Sequence, residues 1–229
     1  MIPLVLLPGM MCDARLWAPQ MGALKRRAVL HAPCTEADTM EALAARVLTV
    51  APDRFALAGL SMGGIVAMEV VRQAPGRVDR IALLDTNPLP EPEAVRADRV
   101  AQIGRARAGG LAGVMRERLE RDYLAAGSDA TEVLDLCMAM AIGLGTDVFE
   151  RQSRALASRP DQRATLAAFR GPALVLMGAE DRLCPRDRHE LMHALMPQSR
   201  LVVVDRAGHL PTLERPAETT AALMEWLAD

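Results

Sequence analysis

Short apolar runs recur near both ends of the chain, and each is bounded by Gly, Pro or Asp. They occupy residues 4–7, 28–30, 55–58, 81–84, 173–177 and 201–204. Between them, apolar residues at helical spacing predict helices over 40–50, 63–73, 186–196 and 217–227. Short apolar runs of this kind are typical of strands buried on both faces. The alternation therefore predicts an α/β fold with a mostly parallel sheet of about six strands and flanking helices.

The strand pattern disappears between residues 87 and 170, where apolar spacing predicts three to five helices. The sequence therefore predicts a core domain formed by residues 1–86 and 171–229. Residues 87–170 would be inserted in it as a helical cap. An excursion at the carboxyl end of a central strand lies where α/β sheets bind ligands, so a pocket is expected beneath this segment.

Composition narrows the range of functions. A charged fraction of 24% and a net charge of −2 do not provide the basic surface that nucleic acid requires. The single lysine, Lys25, leaves little scope for Schiff-base or P-loop chemistry. The four cysteines form no C-x-x-C pair, and the apolar start of the chain stops at Pro8-Gly9, too short for a membrane span. We expect a cytoplasmic protein with no membrane or nucleic-acid partner.

The sharpest motif is Gly-x-Ser-x-Gly, at residues 59–63, between a predicted strand and a predicted helix. A tight turn there needs small neighbours, and Gly59 and Gly63 would let the strand and the helix approach closely. The hydroxyl of Ser61 would then project clear of the sheet. The motif predicts that Ser61 is a nucleophile and that the Met62 amide faces a developing oxyanion.

A serine nucleophile needs a base and an orienting carboxylate. Of the four histidines, His209 lies on a predicted loop directly after the last strand, from which it could reach Ser61. Asp181 also follows a strand and precedes His209 by 28 positions. Glu180 and Asp85 are the competing carboxylates, and Asp181 is favoured because Glu180 should point elsewhere.

The chain order of Ser61, Asp181 and His209 resembles that of the α/β-hydrolase superfamily, and the resemblance covers nearly the whole chain. Residues 6–11 are similar to the family's His-Gly oxyanion loop, with Pro8 in place of the histidine. The resemblance implies that the amides of Met10 and Met62 form the oxyanion hole.

Two departures from the family pattern are visible. The usual first two antiparallel strands are missing, so about six strands are expected instead of eight. The family's Gly-x-Gly-x-Ser turn is replaced by residues 31–36.

A competing motif, His-Glu-x-x-His, occupies residues 189–193 and is typical of zinc proteases. Flanking prolines confine its helix to about three turns, Asp187 is unusual in such a helix, and Glu214 would have to supply a third ligand. We therefore predict no metal site, and expect Leu191 and Leu195 to face the sheet with both histidines on the solvated side.

Other residues are weaker candidates for contact with a substrate. Met11, Met138, Met140 and Leu210 are predicted to line an apolar pocket, although methionine is more often a core filler. Residues 94–121 carry seven arginines and three acidic residues. This excess could attract an acidic substrate or carrier protein, and a solvated helix face is the alternative.

Together these features predict a serine hydrolase. It would cleave an ester or thioester of a small, largely apolar acyl group through an acyl-enzyme, with no metal or organic cofactor. The superfamily also contains lyases, acyltransferases and ligand receptors with the same triad, so these remain alternatives, as does a zinc hydrolase.

Overall fold

The computed structural model describes residues 1–125 and 130–228 and contains a six-stranded sheet. All neighbouring strands are parallel, in the order β2-β1-β3-β4-β5-β6. This confirms the predicted sheet. The strands are β1 (Leu4–Leu7), β2 (Val29–His31), β3 (Phe55–Leu60), β4 (Val78–Leu84), β5 (Ala173–Gly178) and β6 (Ser199–Val204).

Helices cover both faces of the sheet, which explains why the strands are apolar at consecutive positions. Val5 and Leu7 belong to one buried cluster, and Leu4 and Leu6 belong to another. A 3-10 helix (Ala14–Gln20) precedes α1. The α-helices are α1 (Met21–Leu24), α2 (Met40–Val50), α3 (Met62–Gln73), α4 (Glu93–Arg105), α5 (Leu111–Arg118), α6 (Ala130–Ala157), α7 (Arg163–Ala168), α8 (Arg186–Leu195), α9 (Pro211–Glu214) and α10 (Pro216–Ala228).

All regular elements that the structure describes between β4 and β5 are helices, as predicted. Two π-helical turns, Ala106–Gly110 and Leu119–Tyr123, flank α5. The long α6 contains one non-helical residue, Gly145, at φ 80° and ψ 176°. The division into a core domain and a cap stays a prediction. None of the helices in residues 1–125 and 130–228 has the length and apolarity needed to cross a bilayer.

The orientation of α8 differs from the prediction. His189 is fully buried rather than solvated, and Met192 is the fully buried apolar residue of the helix, while Leu191 and Leu195 are half-buried. The reason is tertiary: the ligand atoms of His189, Asp85 and Asp181 lie within 4.8 Å of one another. The buried face of α8 is therefore the one that carries His189 and Met192, beside the two carboxyl groups.

Candidate active site

Ser61 occupies a sharp turn between β3 and α3. Its backbone has φ 54° and ψ −117°, a strained conformation for a residue with a side chain. Two hydrogen bonds hold it: the Ser61 amide donates to the Leu84 carbonyl at 2.9 Å, and the Thr86 hydroxyl donates to the Ser61 carbonyl at 2.7 Å. A methyl group on Gly59 would overlap the backbone of Gly63. The turn thus requires the small residues that flank the serine.

The structure brings Ser61, His209 and Asp181 together. The Nε2 atom of His209 lies 2.8 Å from Ser61 Oγ, and its Nδ1 atom lies 2.9 Å from Asp181 Oδ2. A neutral imidazole protonated on Nδ1 satisfies both contacts, because it donates to the carboxylate and accepts from the hydroxyl. His209 and Asp181 are buried, whereas Ser61 is half-buried.

The carboxylate that contacts His209 is Asp181. Its Oδ1 atom accepts hydrogen bonds from the amides of Leu183 at 2.8 Å and Cys184 at 3.0 Å. Burial opposes ionisation, but the nearby His209, the Cys184 amide and Asp85 outweigh it and lower the pKa of Asp181. Asp85 lies behind Asp181 and accepts a hydrogen bond from the Gly178 amide at 2.8 Å.

Glu214 and Tyr123 support His209, in roles that no local sequence pattern predicts. Glu214 Oε1 accepts from the amides of Gly208 at 3.0 Å and Leu210 at 3.1 Å, on either side of the histidine. The His209 amide donates to the Tyr123 carbonyl at 2.7 Å, and the two rings meet edge-on with centroids 5.0 Å apart. These contacts fix the loop after β6, which local sequence patterns describe only as a turn.

The loop before the 3-10 helix lies against the Ser61 turn. A Cβ atom on Gly9 would stand 3.5 Å from Ser61 Cβ, and the Met11 amide is already bound to Gln152 Oε1 at 2.8 Å. In residues 1–125 and 130–228, neither the Met10 amide nor the Met62 amide has an acceptor. Both donors are therefore available to a ligand near Ser61.

A cavity of about 210 Å³ opens beside Ser61 and His209. Its lining is mixed, with apolar side chains and several charged groups. The other lining residues are Met10, Ile65, Thr86, Asn87, Glu91, Pro92, Val95, Arg99, Arg118, Tyr123, Leu156, Arg159, Leu183, Cys184, Pro185 and Arg188.

The sequence of this chain also matches a family of known proteins. A sequence model described as the alpha/beta hydrolase family matches residues 4–223, nearly the whole chain. The chain belongs to the α/β hydrolase family.

Three relatives illustrate the membership. A pimeloyl-[acyl-carrier protein] methyl ester esterase from Aromatoleum aromaticum is 30% identical over 209 residues, covering 82% of this chain and 79% of the relative. The enzyme of the same name from Edwardsiella ictaluri is 28% identical, covering 97% and 92% respectively. The solved structure of a thermophilic esterase from Thermogutta terrifontis, with malate bound, has a TM-score of 0.90 and 30% identity, covering 100% of this chain and 90% of that chain.

Four residues predicted to contact substrate do not line the cavity of this α/β hydrolase. Met11, Met140 and Leu210 are almost completely buried, and Met138 is partly buried against the core. Met140 Sδ accepts a hydrogen bond from the Asp13 amide at 3.4 Å. Substrate contact by these four residues stays a prediction.

The two histidines of the His-Glu-x-x-His motif have different neighbours. His189 faces Asp85 and Asp181, whereas His193 Nδ1 lies 2.8 Å from Ser199 Oγ. Among the described residues, no group of His, Cys, Asp and Glu close enough to share an ion includes both histidines. The two groups that are close enough both contain Asp181, the partner of His209.

Proposed function

We propose that this α/β hydrolase is a serine esterase that cleaves a carboxylic ester or thioester of a small acyl group through an acyl-enzyme. The observation that carries the proposal is the hydrogen-bonded series Ser61, His209 and Asp181 at a cavity. Relatives named as esterases support the same reaction class. The cavity volume of about 210 Å³ favours a small substrate.

In the first step, His209 Nε2 takes the proton of Ser61 as its oxygen attacks the ester carbonyl. Ser61 Oγ is 2.8 Å from that nitrogen, within reach for direct transfer. Asp181 holds Nδ1 and stabilises the imidazolium that forms, because its lowered pKa keeps it ionised. The amides of Met10 and Met62 donate to the oxyanion, and losing one such donor costs about 2.7–4 kcal/mol of transition-state stabilisation.

In the second step, the leaving alcohol or thiol departs with the proton held by His209. A water molecule then approaches the acyl-enzyme, and the same imidazole removes its proton. Collapse of the second tetrahedral intermediate releases the acid and returns the proton to Ser61. Every proton transfer in this cycle passes through His209 Nε2, so its loss should be as severe as that of the nucleophile.

The charges around the site bear on whether the ester is free or bound to a carrier protein. Several arginines of the segment 94–121 are paired with carboxylates, inside or outside the segment, which favours a small substrate over an acidic carrier protein. The pairs are Arg105–Glu117, Arg107–Glu150, Arg116–Glu120 and Arg121–Asp122. A carrier-bound ester like that named for the relatives remains a prediction for this chain.

Hydrolysis of para-nitrophenyl acetate and butyrate tests the proposal. The wild type should release nitrophenol in an initial burst followed by slower turnover, since the acyl-enzyme accumulates. Ser61→Ala should abolish both phases, while the control Ser158→Ala, at a serine outside the cavity, should keep them. A chelator should have no effect. Full activity in a folded Ser61→Ala variant, or loss of activity only with chelator, contradicts the proposal.

A further inference from the structure

A buried ion cluster forms one wall of the cavity beside Ser61. Arg99 makes two hydrogen bonds to Glu91, from Nε at 2.5 Å and from Nη2 at 2.8 Å. Arg159 Nη1 donates to Glu91 Oε1 at 2.6 Å. The exposed fractions of the Arg99, Glu91 and Arg159 side chains are only 9%, 1% and 8%. Two guanidinium groups therefore share one carboxylate away from bulk water.

This arrangement leaves positive charge without a partner. Burial and the neighbouring Arg99 lower the pKa of Arg159, although Glu91 opposes the shift. Two more arginines line the cavity, and Glu91 is its only carboxylate among the described lining residues. Arg118 Nη1 donates to an uncharged acceptor, Gln102 Oε1, at 2.9 Å. Arg188 lies 3.2 Å from Asp187, whose side chain is largely exposed. An unpaired buried charge is costly, so the cavity favours an anion.

Donor atoms on the two buried arginines are available to that anion. Arg159 Nε donates to the Leu89 carbonyl at 2.9 Å, but its Nη2 atom has no acceptor within residues 1–125 and 130–228. Among the described residues, the one hydrogen-bond acceptor of Arg99 Nη1 is the Met10 sulfur, at 3.7 Å, and a thioether is a weak acceptor. Because Met10 belongs to the loop beside Ser61, the cluster adjoins the reaction centre.

We infer that the cavity binds an anionic group of the substrate through Arg159 and Arg99, with Arg118 as a further contact. The substrate class is then an ester of a small acid that carries a second, negatively charged group, such as a half-ester of a dicarboxylic acid. Guanidinium groups bind carboxylate and phosphate by the same charge-assisted hydrogen bonds. This inference rests on the proposed esterase function and specifies its substrate.

Matched esters test the inference by kinetics. Monomethyl glutarate and monomethyl adipate carry a carboxylate, and the corresponding dimethyl esters are neutral. For the wild type, kcat/KM should be about tenfold or more higher for the charged ester, as expected for a hydrogen bond to a charged group. Arg159→Gln should reduce that ratio towards one, mainly through KM. The control Arg116→Gln, on the exposed side of α5 and outside the cavity, should keep the ratio.

Arg118→Gln provides a second variant in case Arg159→Gln does not fold, and a smaller fall in the ratio is expected because Arg118 is half-buried. Hydrolysis of neutral esters that requires Ser61, without preference for charged ones, overturns the inference and leaves the proposed function standing. Failure to hydrolyse any ester contradicts the proposed function instead.

Direct binding then decides the inference independently of turnover. Calorimetric titration of the wild type with glutarate, and separately with inorganic phosphate, distinguishes the two anion types. Binding of either anion that is weakened at least tenfold by Arg159→Gln or Arg118→Gln, but not by Arg116→Gln, supports the inference. No binding of either anion, or equal binding by all variants, overturns it.

Discussion

The carboxyl oxygens of Asp85 and Asp181 lie within 4.8 Å of each other, although the two residues follow different strands. The strands, β4 and β5, are neighbours in the sheet. Burial, followed by the charge of Asp181, raises the pKa of Asp85 well above its usual range, while the pKa of Asp181 is lowered. The raised pKa of Asp85 favours its protonated form, and the lowered pKa of Asp181 favours the charged form that lies beside His209.

This division of roles predicts opposite effects of two isosteric substitutions. Asp181→Asn should lower kcat by about four orders of magnitude, because an amide cannot hold the required imidazole tautomer. Asp85→Asn should retain kcat within about tenfold, since an amide resembles the protonated carboxyl in shape and charge. Steady-state kinetics with para-nitrophenyl butyrate measures both. A large loss in Asp85→Asn with a mild one in Asp181→Asn would move the orienting role to Asp85.

The same pair predicts a pH dependence of stability. The unfolded Asp85 carboxyl ionises near pH 3.9, whereas the folded one keeps its proton to higher pH. Between the two pKa values the folded state binds more protons, so this group's contribution to stability is present below about pH 4 and is lost as pH rises. Above about pH 4 the free energy of unfolding of wild type should therefore fall relative to that of Asp85→Asn.

Urea unfolding at several pH values between 4 and 8 measures this difference. Asp98→Asn, at an exposed position on α4, serves as the control and should show no comparable trend. A difference between Asp85→Asn and wild type that does not change with pH would show that the buried carboxyl is not protonated in the folded state.

Local patterns predicted the elements and the three side chains that meet at Ser61 better than they predicted the surroundings of the site. The limits of α2 match the apolar spacing of residues 40–50 because that spacing reflects the face that the helix buries. His189 was placed wrongly because the prediction turned Leu191 and Leu195 towards the sheet, whereas His189 faces Asp85 and Asp181, on the loops that follow β4 and β5. Met138 and Met140 pack against the core rather than lining the cavity, because helical spacing identifies a buried face but does not distinguish core from cavity.

Glu214 provides a test of how the histidine loop is held. Its two carboxylate oxygens accept hydrogen bonds from the amides of Gly208, Leu210 and Ala125. Glu214→Gln replaces one oxygen with a group that can only donate, which leaves at least one of these amides without its acceptor. We expect a loss of about 1.5–3 kcal/mol in the free energy of unfolding. We also expect a fall in kcat, because His209 is less well positioned.

Chemical denaturation and steady-state kinetics check the two effects, with Glu218→Gln on the exposed side of α10 as the control. Unchanged stability and unchanged kcat in Glu214→Gln would mean that the loop after β6 is held by the His209–Tyr123 hydrogen bond and packing alone.

Gly63 tests whether the oxyanion loop depends on close backbone contact. A methyl group there would overlap the carbonyl groups of Leu7 and Pro8, whereas one on Gly113, in α5, would have no heavy atom within 4 Å. Gly63→Ala should therefore lower the free energy of unfolding by about 1–3 kcal/mol. It should also lower kcat, because relief of the overlap moves the Met10 amide away from Ser61.

Gly113→Ala should stabilise the protein by about 0.5–1 kcal/mol, since alanine restricts the unfolded chain and favours a helix. Thermal unfolding and the nitrophenyl ester assay compare the two variants. If Gly63→Ala kept full activity, the position of the loop would not control oxyanion binding.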